Sequence, residues 1–191
     1  LLLFLAETSK SRPRREANGF FDKYVQGKVI DIGVGRIDTY DGADPLTDWC
    51  DTWDKDNGNA ELMEEVEDNT YDLVYNSHLL EHLDRPELAI MNWMRITKPG
   101  GYLIMAVPHR DLYERKTKMP SKWNRDHKFF IMPDEETLPD TRSFKHLIEV
   151  GCRNFKYKII SIETNDTSSN KDKPEKHGNG EYQIEAIIQK L

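Results

Sequence analysis

The sequence predicts an α/β fold: a mostly parallel sheet with helices on both faces and an antiparallel last strand. Three features predict it. Val29-Ile30-Asp31-Ile32 is a short apolar strand that runs into the glycine turn Gly33-Val34-Gly35. Tyr71–Asn76 and residues 102–107 are further apolar strands, separated by a stretch with helical periodicity. The chain then ends on two strand-like segments, 154–163 and 181–190, with no helical pattern between them, which requires one antiparallel strand at that end.

The elements follow in order. Residues 9–25 read as an N-terminal helix, capped by Ser9 or Ser11, with Phe20, Phe21 and Tyr24 gathered on one side and Gly27 at its end. Residues 28–32 are the first strand. A second short strand is expected near 39–43, because Asp44-Pro45 forces a turn. Residues 45–59 are acidic and irregular, and 60–66 suit a short helix. Tyr71–Asn76 is apolar on both faces apart from Asp72, as the middle of a parallel sheet requires. Pro86 opens a helix through Thr97 that buries Leu88, Met91 and Met94 or their neighbours. Lys98-Pro99-Gly100-Gly101 stops it. Residues 108–139 form an insertion rich in charge, aromatics and proline. Residues 141–150 read as a helix ended by Gly151, and 164–180 as a mobile hairpin loop.

At 191 residues the chain is expected to be a single domain, 1–191, with a cofactor-binding core at 28–108. A net charge of -7 argues against a nucleic-acid or anionic-membrane partner. Cys50 and Cys152 are far apart and outside any CxxC, which suggests a reducing, cytoplasmic setting. Leu1–Ala6 is too short for a membrane span and lacks the basic flank of a signal peptide, so the chain is expected to be cut from a slightly longer one. Oligomeric state is not readable.

A glycine turn after a first strand lets a ligand approach the backbone closely. An acid ending the second strand can accept hydrogen bonds from two ribose hydroxyls; Asp44 is the expected residue and Asp41 its understudy. A dinucleotide fingerprint needs a third glycine, where position 38 is Asp, and an acid about 20 residues on. Asp44 comes sooner, which implies a shortened first crossover and favours a mononucleoside-like ligand over NAD.

The ordered set Ile30-Asp31-Ile32-Gly33-Val34-Gly35, Gly42-Ala43-Asp44, Tyr71-Asp72-Leu73-Val74-Tyr75, Ser77-His78-Leu79-Leu80-Glu81-His82-Leu83 and Lys98-Pro99-Gly100-Gly101 resembles the class I, Rossmann-like S-adenosylmethionine-dependent methyltransferases, in particular the methyltransferase type 11 group. The resemblance implies a seven-stranded sheet with an antiparallel last strand. It implies S-adenosyl-L-methionine as cofactor and S-adenosyl-L-homocysteine as product. It places Gly33 and Gly35 under the methionine part, Asp31 fixing that loop or the methionine amino group, Asp44 on the ribose and Asn59-Ala60 near the adenine, where the family usually has Asp-Ala. Asn76, Ser77 and His78 should line the methyl-transfer face. The segment Pro120-Ser121-Lys122-Trp123-Asn124-Arg125-Asp126-His127-Lys128 is similar to one in methyltransferase-like proteins of bacterial glycan and lipopolysaccharide clusters.

His78-Leu79-Leu80-Glu81-His82 also matches the H-x-x-E-H pattern of a zinc hydrolase, since histidines four apart share a helix face. Asp84-Arg85-Pro86 interrupts any long helix there, and the expected site carries no metal. The acidic run from Asp38 to Asp56 fails the spacing of a calcium loop and reads as solvated. The locally cationic insertion begins at the ligand edge of the sheet. In it Trp123 or Tyr113 would stack on a small-molecule or glycan-like acceptor, and Arg110 or Arg125 would pair with an acidic group on it. The expected activity is in-line methyl transfer, with His127, then His82, then His109 as base, and Asp126 raising the basicity of His127. The alternative is a non-catalytic module that binds the cofactor without turnover.

Overall fold

The computed structural model describes residues 7–35, 44–167 and 180–191. The main strands are β1 (Val29–Ile32), β2 (Asp51–Trp53), β3 (Tyr71–Ser77), β4 (Thr97–Pro108), β7 (Tyr157–Asp166) and β8 (Tyr182–Lys190). They form one six-stranded sheet in the order β2-β1-β3-β4-β8-β7. The first four are parallel, and β8 runs antiparallel to both β4 and β7. Two short strands of the insertion, β5 (Phe130–Met132) and β6 (Thr141–Ser143), pair in parallel apart from the main sheet. A seventh strand of the main sheet is absent among the described residues.

Side-chain alternation along the central strands divides the core in two. Leu73 and Tyr75 of β3 pack with Phe20, Tyr24, Ile104 and Ile187, whereas Val74 joins Ile90, Trp93, Leu147 and Ile188. Helices α1 (Glu7–Ala17) and α2 (Phe20–Tyr24) therefore cover one face, and α3 (Pro86–Ile96) and α4 (Phe144–Cys152) the other. Among the described residues no helix is long and apolar enough to cross a membrane.

Several local expectations shift. The helix expected over 9–25 is two helices, because Gly19 takes φ 73 between them and Asn18 Oδ1 accepts a hydrogen bond from Phe20 N. Residues 60–66 form turns rather than a helix, with Met63 at φ 48 ending the one turn that starts at Asn59. α3 buries Met94 as expected, with Ala89, Ile90 and Trp93, the neighbours of Leu88 and Met91, beside it. The strand expected near 39–43 lies outside the described residues, as do Asp41 and most of the 164–180 loop. Both edges of β1 are taken by β2 and β3, so the strand that follows β1 beside it is Asp51–Trp53. The connection between them carries no helix among its described residues.

Gly151 lies inside α4 rather than ending it. A Cβ there would sit 2.6 Å from Ile90 Cβ and Cγ2, so the glycine permits the close crossing of α4 on α3. Gly151→Ala should lower the unfolding free energy by about 1–3 kcal/mol through overpacking. Urea unfolding measures it, and an unchanged midpoint would show that the α3–α4 contact yields freely.

Candidate active site

The strand order turns at β1, whose successors in sequence lie on opposite sides of it. Open α/β sheets bind ligands outside the carboxyl ends of strands at such a switch point. A cavity of about 1150 Å³ lies there. Its floor is the glycine turn, one wall is the end of β2 with Trp53 and Asp54, and the opposite wall is Leu79, His82 and the insertion residues Arg125–Lys128.

The floor is held by backbone hydrogen bonds. Gly33 and Gly35 take φ 84 and φ 82. Gly33 N donates to Trp53 O at 2.7 Å, and Gly35 N donates to Asp54 Oδ2 at 2.8 Å. A side chain at Gly33 would meet Leu79 Cδ2 at 3.0 Å, so glycine keeps this surface open. Asp54 Oδ1 also accepts from Lys55 N, which fixes the carboxylate at the cavity rim.

Asp44 is elsewhere. Its two carboxylate oxygens accept from Ser9 N at 2.6 Å and Ser9 Oγ at 2.7 Å, so it caps the first turn of α1 and does not line the cavity. The acid that ends the second strand is Asp54, because that strand is 51–53. Asp31 is buried behind the floor, where its carboxylate accepts from Leu46 N at 2.8 Å. Burial holds its pKa well above the usual carboxylate value, against the opposing effects of that hydrogen bond and of Arg15. Asn59 and Ala60 line the cavity, with the Asn59 side chain accepting from Glu61 N. Asn76, Ser77 and His78 sit at the end of β3 but outside the cavity lining. Asn76 is fully buried, with neither amide atom partnered among the described residues, and His78 Nε2 lies 3.3 Å from Gln183 Oε1.

Behind the far wall three histidines, of which His82 and His127 line the cavity, surround one buried carboxylate. Glu81 is 0% exposed, and neither of its oxygens has a hydrogen-bond partner among the described residues. His82 Nε2 and His127 Nε2 each lie 3.7 Å from Glu81 Oε1, and His78 Nδ1 lies 3.9 Å from it. Lys128 N donates to Glu81 O at 2.8 Å, which fastens the insertion to this turn. His127 is buried, with Nδ1 2.5 Å from Glu114 Oε1. Glu114 Oε2 accepts from Ser121 Oγ at 2.5 Å, so both oxygens of that carboxylate are fixed. Glu114 thus holds the Nδ1 side of the His127 ring, while Nε2 lies on the Glu81 side. Burial lowers the pKa of His82, against the raising effect of Glu81.

Other expected residues have structural roles. Asp126 is exposed and does not orient His127; Glu114 does. His109 is not in the cavity: its Nδ1 accepts from Asp111 N and caps the turn Arg110–Glu114, and burial lowers its pKa. Arg110 is buried and held by Asp111 and Glu135 at 2.7 Å each, so its charge is already matched. Tyr113 packs between the His78 and His127 rings, at 5.9 and 5.8 Å. Trp123 has Lys122 Nζ 4.5 Å from its ring centroid and does not line the cavity, whereas Arg125 does. Sequence reasoning missed Asp54 and Glu114. A three-residue strand has no period to read, and nothing local links Glu114 to His127.

A family model described as "Methyltransferase domain" matches residues 23–105. The "Ubiquinone biosynthesis O-methyltransferase" of Aliivibrio fischeri is 29% identical over 149 residues, covering 62% of this chain and 62% of that protein. Its namesake from Photobacterium profundum is 31% identical over 85 residues, 40% of this chain and 36% of that protein. The chain thus spans less than two thirds of the curated relatives it matches. An S-adenosylmethionine-dependent methyltransferase from Mesorhizobium loti superposes with a TM-score of 0.55 at 13% identity, covering 95% of this chain and 98% of that one. One from Archaeoglobus fulgidus gives a TM-score of 0.52 at 20% identity, covering 97% and 94%. The methyltransferase domain model thus matches a little under half of the chain, and the fold is that of the S-adenosylmethionine-dependent methyltransferase structures it superposes on.

The structures from Mesorhizobium loti and Archaeoglobus fulgidus are named for S-adenosylmethionine, and the cavity fits that cofactor. The glycine floor has no side chains where a Cβ at Gly33 would already crowd Leu79. Asp54 supplies a fixed carboxylate, and Trp53, Ala60 and Leu83 supply apolar surface. The sheet, with its antiparallel β8, has one strand fewer among the described residues than the seven that the resemblance implies.

Proposed function

We propose that this methyltransferase acts on a hydroxyl oxygen of a small acceptor, with His127 taking the proton. The carrying observation is the buried pair of His127 Nδ1 and Glu114 Oε1 at 2.5 Å beside the cavity. An amine acceptor needs only to be neutral, whereas a hydroxyl gains from a base held in one tautomer. The names of the relatives from Aliivibrio fischeri and Photobacterium profundum agree with an oxygen acceptor.

When bound, S-adenosylmethionine supplies an activated methyl on a sulfonium. The chain's own residues do the rest. Asp54 accepts hydrogen bonds from the ribose hydroxyls, the role first expected of Asp44. Gly33 and Gly35 offer close backbone approach to the methionine part, and Asn59-Ala60 borders the adenine. Trp53, Leu79 and Leu83 exclude water. His127 Nε2 accepts the acceptor's proton, and Glu114 stabilises the resulting imidazolium. Arg125, exposed at the cavity, pairs with an acidic group on the acceptor.

Two measurements test this reading. Titration calorimetry with S-adenosylhomocysteine should show binding that Asp54→Ala weakens by about 1–3 kcal/mol, the range for losing a fixed hydrogen-bond partner. Asp44→Ala should keep that affinity and instead cost about 0.5–2 kcal/mol of stability, as loss of a helix cap does. The opposite pattern would return the ribose to Asp44. Incubation with S-adenosylmethionine and panels of phenols, sugar alcohols and amines should release S-adenosylhomocysteine with the hydroxyl compounds. Transfer to amines alone would overturn the oxygen assignment.

A further inference from the structure

We propose that Glu81, His82 and His127 form a binding site for one divalent transition-metal ion on the cavity wall. A buried carboxylate is costly unless it is paired or hydrogen-bonded. Glu81 is 0% exposed and its two oxygens accept nothing among the described residues, while its Oε1 faces two imidazole nitrogens at 3.7 Å each. One ligand atom from each of the three residues lies within 4.8 Å of the others. Nitrogen and oxygen ligands bind zinc at about 2.0–2.2 Å, which sets them roughly 3.3–3.6 Å apart in a tetrahedron. The two 3.7 Å separations are close to that, and the third, within 4.8 Å, would close if the half-buried His82 turned.

The outer shell is built as well. Histidines that ligate metals commonly donate their second ring N–H to a carboxylate, which fixes the tautomer and raises ligand basicity. Glu114 does this for His127, and Ser121 holds Glu114. Two imidazoles and a carboxylate suit Zn2+ or Mn2+. This is not the helical H-x-x-E-H arrangement. Residues 80–82 form a single tight turn, and His78 sits at the end of β3 with φ 52. The third ligand comes from the insertion, which the motif does not contain.

Three protein ligands leave open positions facing the cavity. Resting on the methyl-transfer reading above, an acceptor hydroxyl at such a position loses its proton to solvent more readily. It keeps the electron pair that bonds to the methyl carbon, while the carbon–sulfur pair leaves with the sulfur. With the ion bound, His127 gives its lone pair to the metal instead of to the proton.

The test uses metal-stripped whole protein titrated separately with Zn2+ and Mn2+, by calorimetry and, for Mn2+, by electron paramagnetic resonance. One equivalent should bind, and Glu81→Gln and His82→Asn, which each remove a direct ligand, should each weaken binding by at least the roughly 10–100-fold that losing an outer-shell partner costs. Thermal unfolding and S-adenosylhomocysteine affinity confirm that each variant is folded. Failure of the wild type to bind either ion, or wild-type affinity in folded Glu81→Gln, would overturn the site. Cation binding without any S-adenosylhomocysteine binding would leave the site standing and remove the methyltransferase reading instead.

Discussion

His127→Asn will lower the rate of methyl transfer by about 10²–10⁴-fold, the range for a positioned acid–base group, with S-adenosylhomocysteine affinity unchanged. The imidazole is buried beside the cavity, with Nδ1 held by Glu114. Asparagine keeps a polar side chain but has no basic nitrogen. Glu114→Gln should lower kcat with little change in KM, because it leaves the imidazole in place and removes the charge that fixes its tautomer. Steady-state kinetics across the three proteins checks both effects. A wild-type rate in His127→Asn would remove the residue from the chemistry, whether as base or as metal ligand. A raised KM with unchanged kcat in Glu114→Gln would make the pair a substrate-positioning feature.

Arg15→Ala will cost about 3–5 kcal/mol of stability, the range for breaking a buried ion pair by removing one partner. Arg15 is 0% exposed. Its Nε and Nη2 donate to Glu185 Oε2 at 3.0 and 2.5 Å, and its Nη1 donates to the Tyr75 hydroxyl at 2.8 Å. The guanidinium also stacks over Phe20 and Tyr75, 4.8 and 4.9 Å from the ring centroids. It is the polar bolt between α1 and the sheet, shared with Arg14 on Glu181 and Glu185. The same network predicts an acid sensitivity. Burial alone would raise the Glu185 pKa, but the charges and hydrogen bonds of Arg15 and Arg14 outweigh it and hold it below its ordinary value of 4.5. A carboxylate depressed on folding stabilises fully above its unfolded pKa, and that contribution is lost as pH falls through the folded pKa. Urea unfolding should therefore show wild-type stability falling below about pH 4.5, with a shallower fall in Glu185→Gln. Equal slopes would place the acid sensitivity on other carboxylates.

Much of the fold was legible. β1, β3, β4, α3 and the antiparallel ending each rest on a run of neighbouring residues whose apolar pattern or breakers suffice. Where the reading shifted, long-range contact decided. Gly151 reads as a helix stop, yet its missing Cβ serves the crossing of α4 on α3. Three-residue β2 has no period of its own and is defined by pairing with β1. Lacking it, sequence reasoning took Asp44 for the acid at the end of the strand beside β1. The site was legible in the same proportion. The glycine turn and the Glu81-His82 run could be found, whereas Asp44, His109 and Arg110 turned out to hold α1 and the insertion in place.

The sequence by itself determined the sheet class, the glycine floor and the family of cofactor, because each is carried by residues adjacent in the chain and by backbone freedom that only glycine has. The tertiary structure alone decided that Asp54 ends the second strand, that Glu114 rather than neighbouring Asp126 holds His127, and that His127 faces Glu81 and His82. Those facts are distances between residues far apart in sequence. They are set by the path of the insertion back over the sheet edge, where Lys128 N reaches Glu81 O, and no local pattern encodes that path.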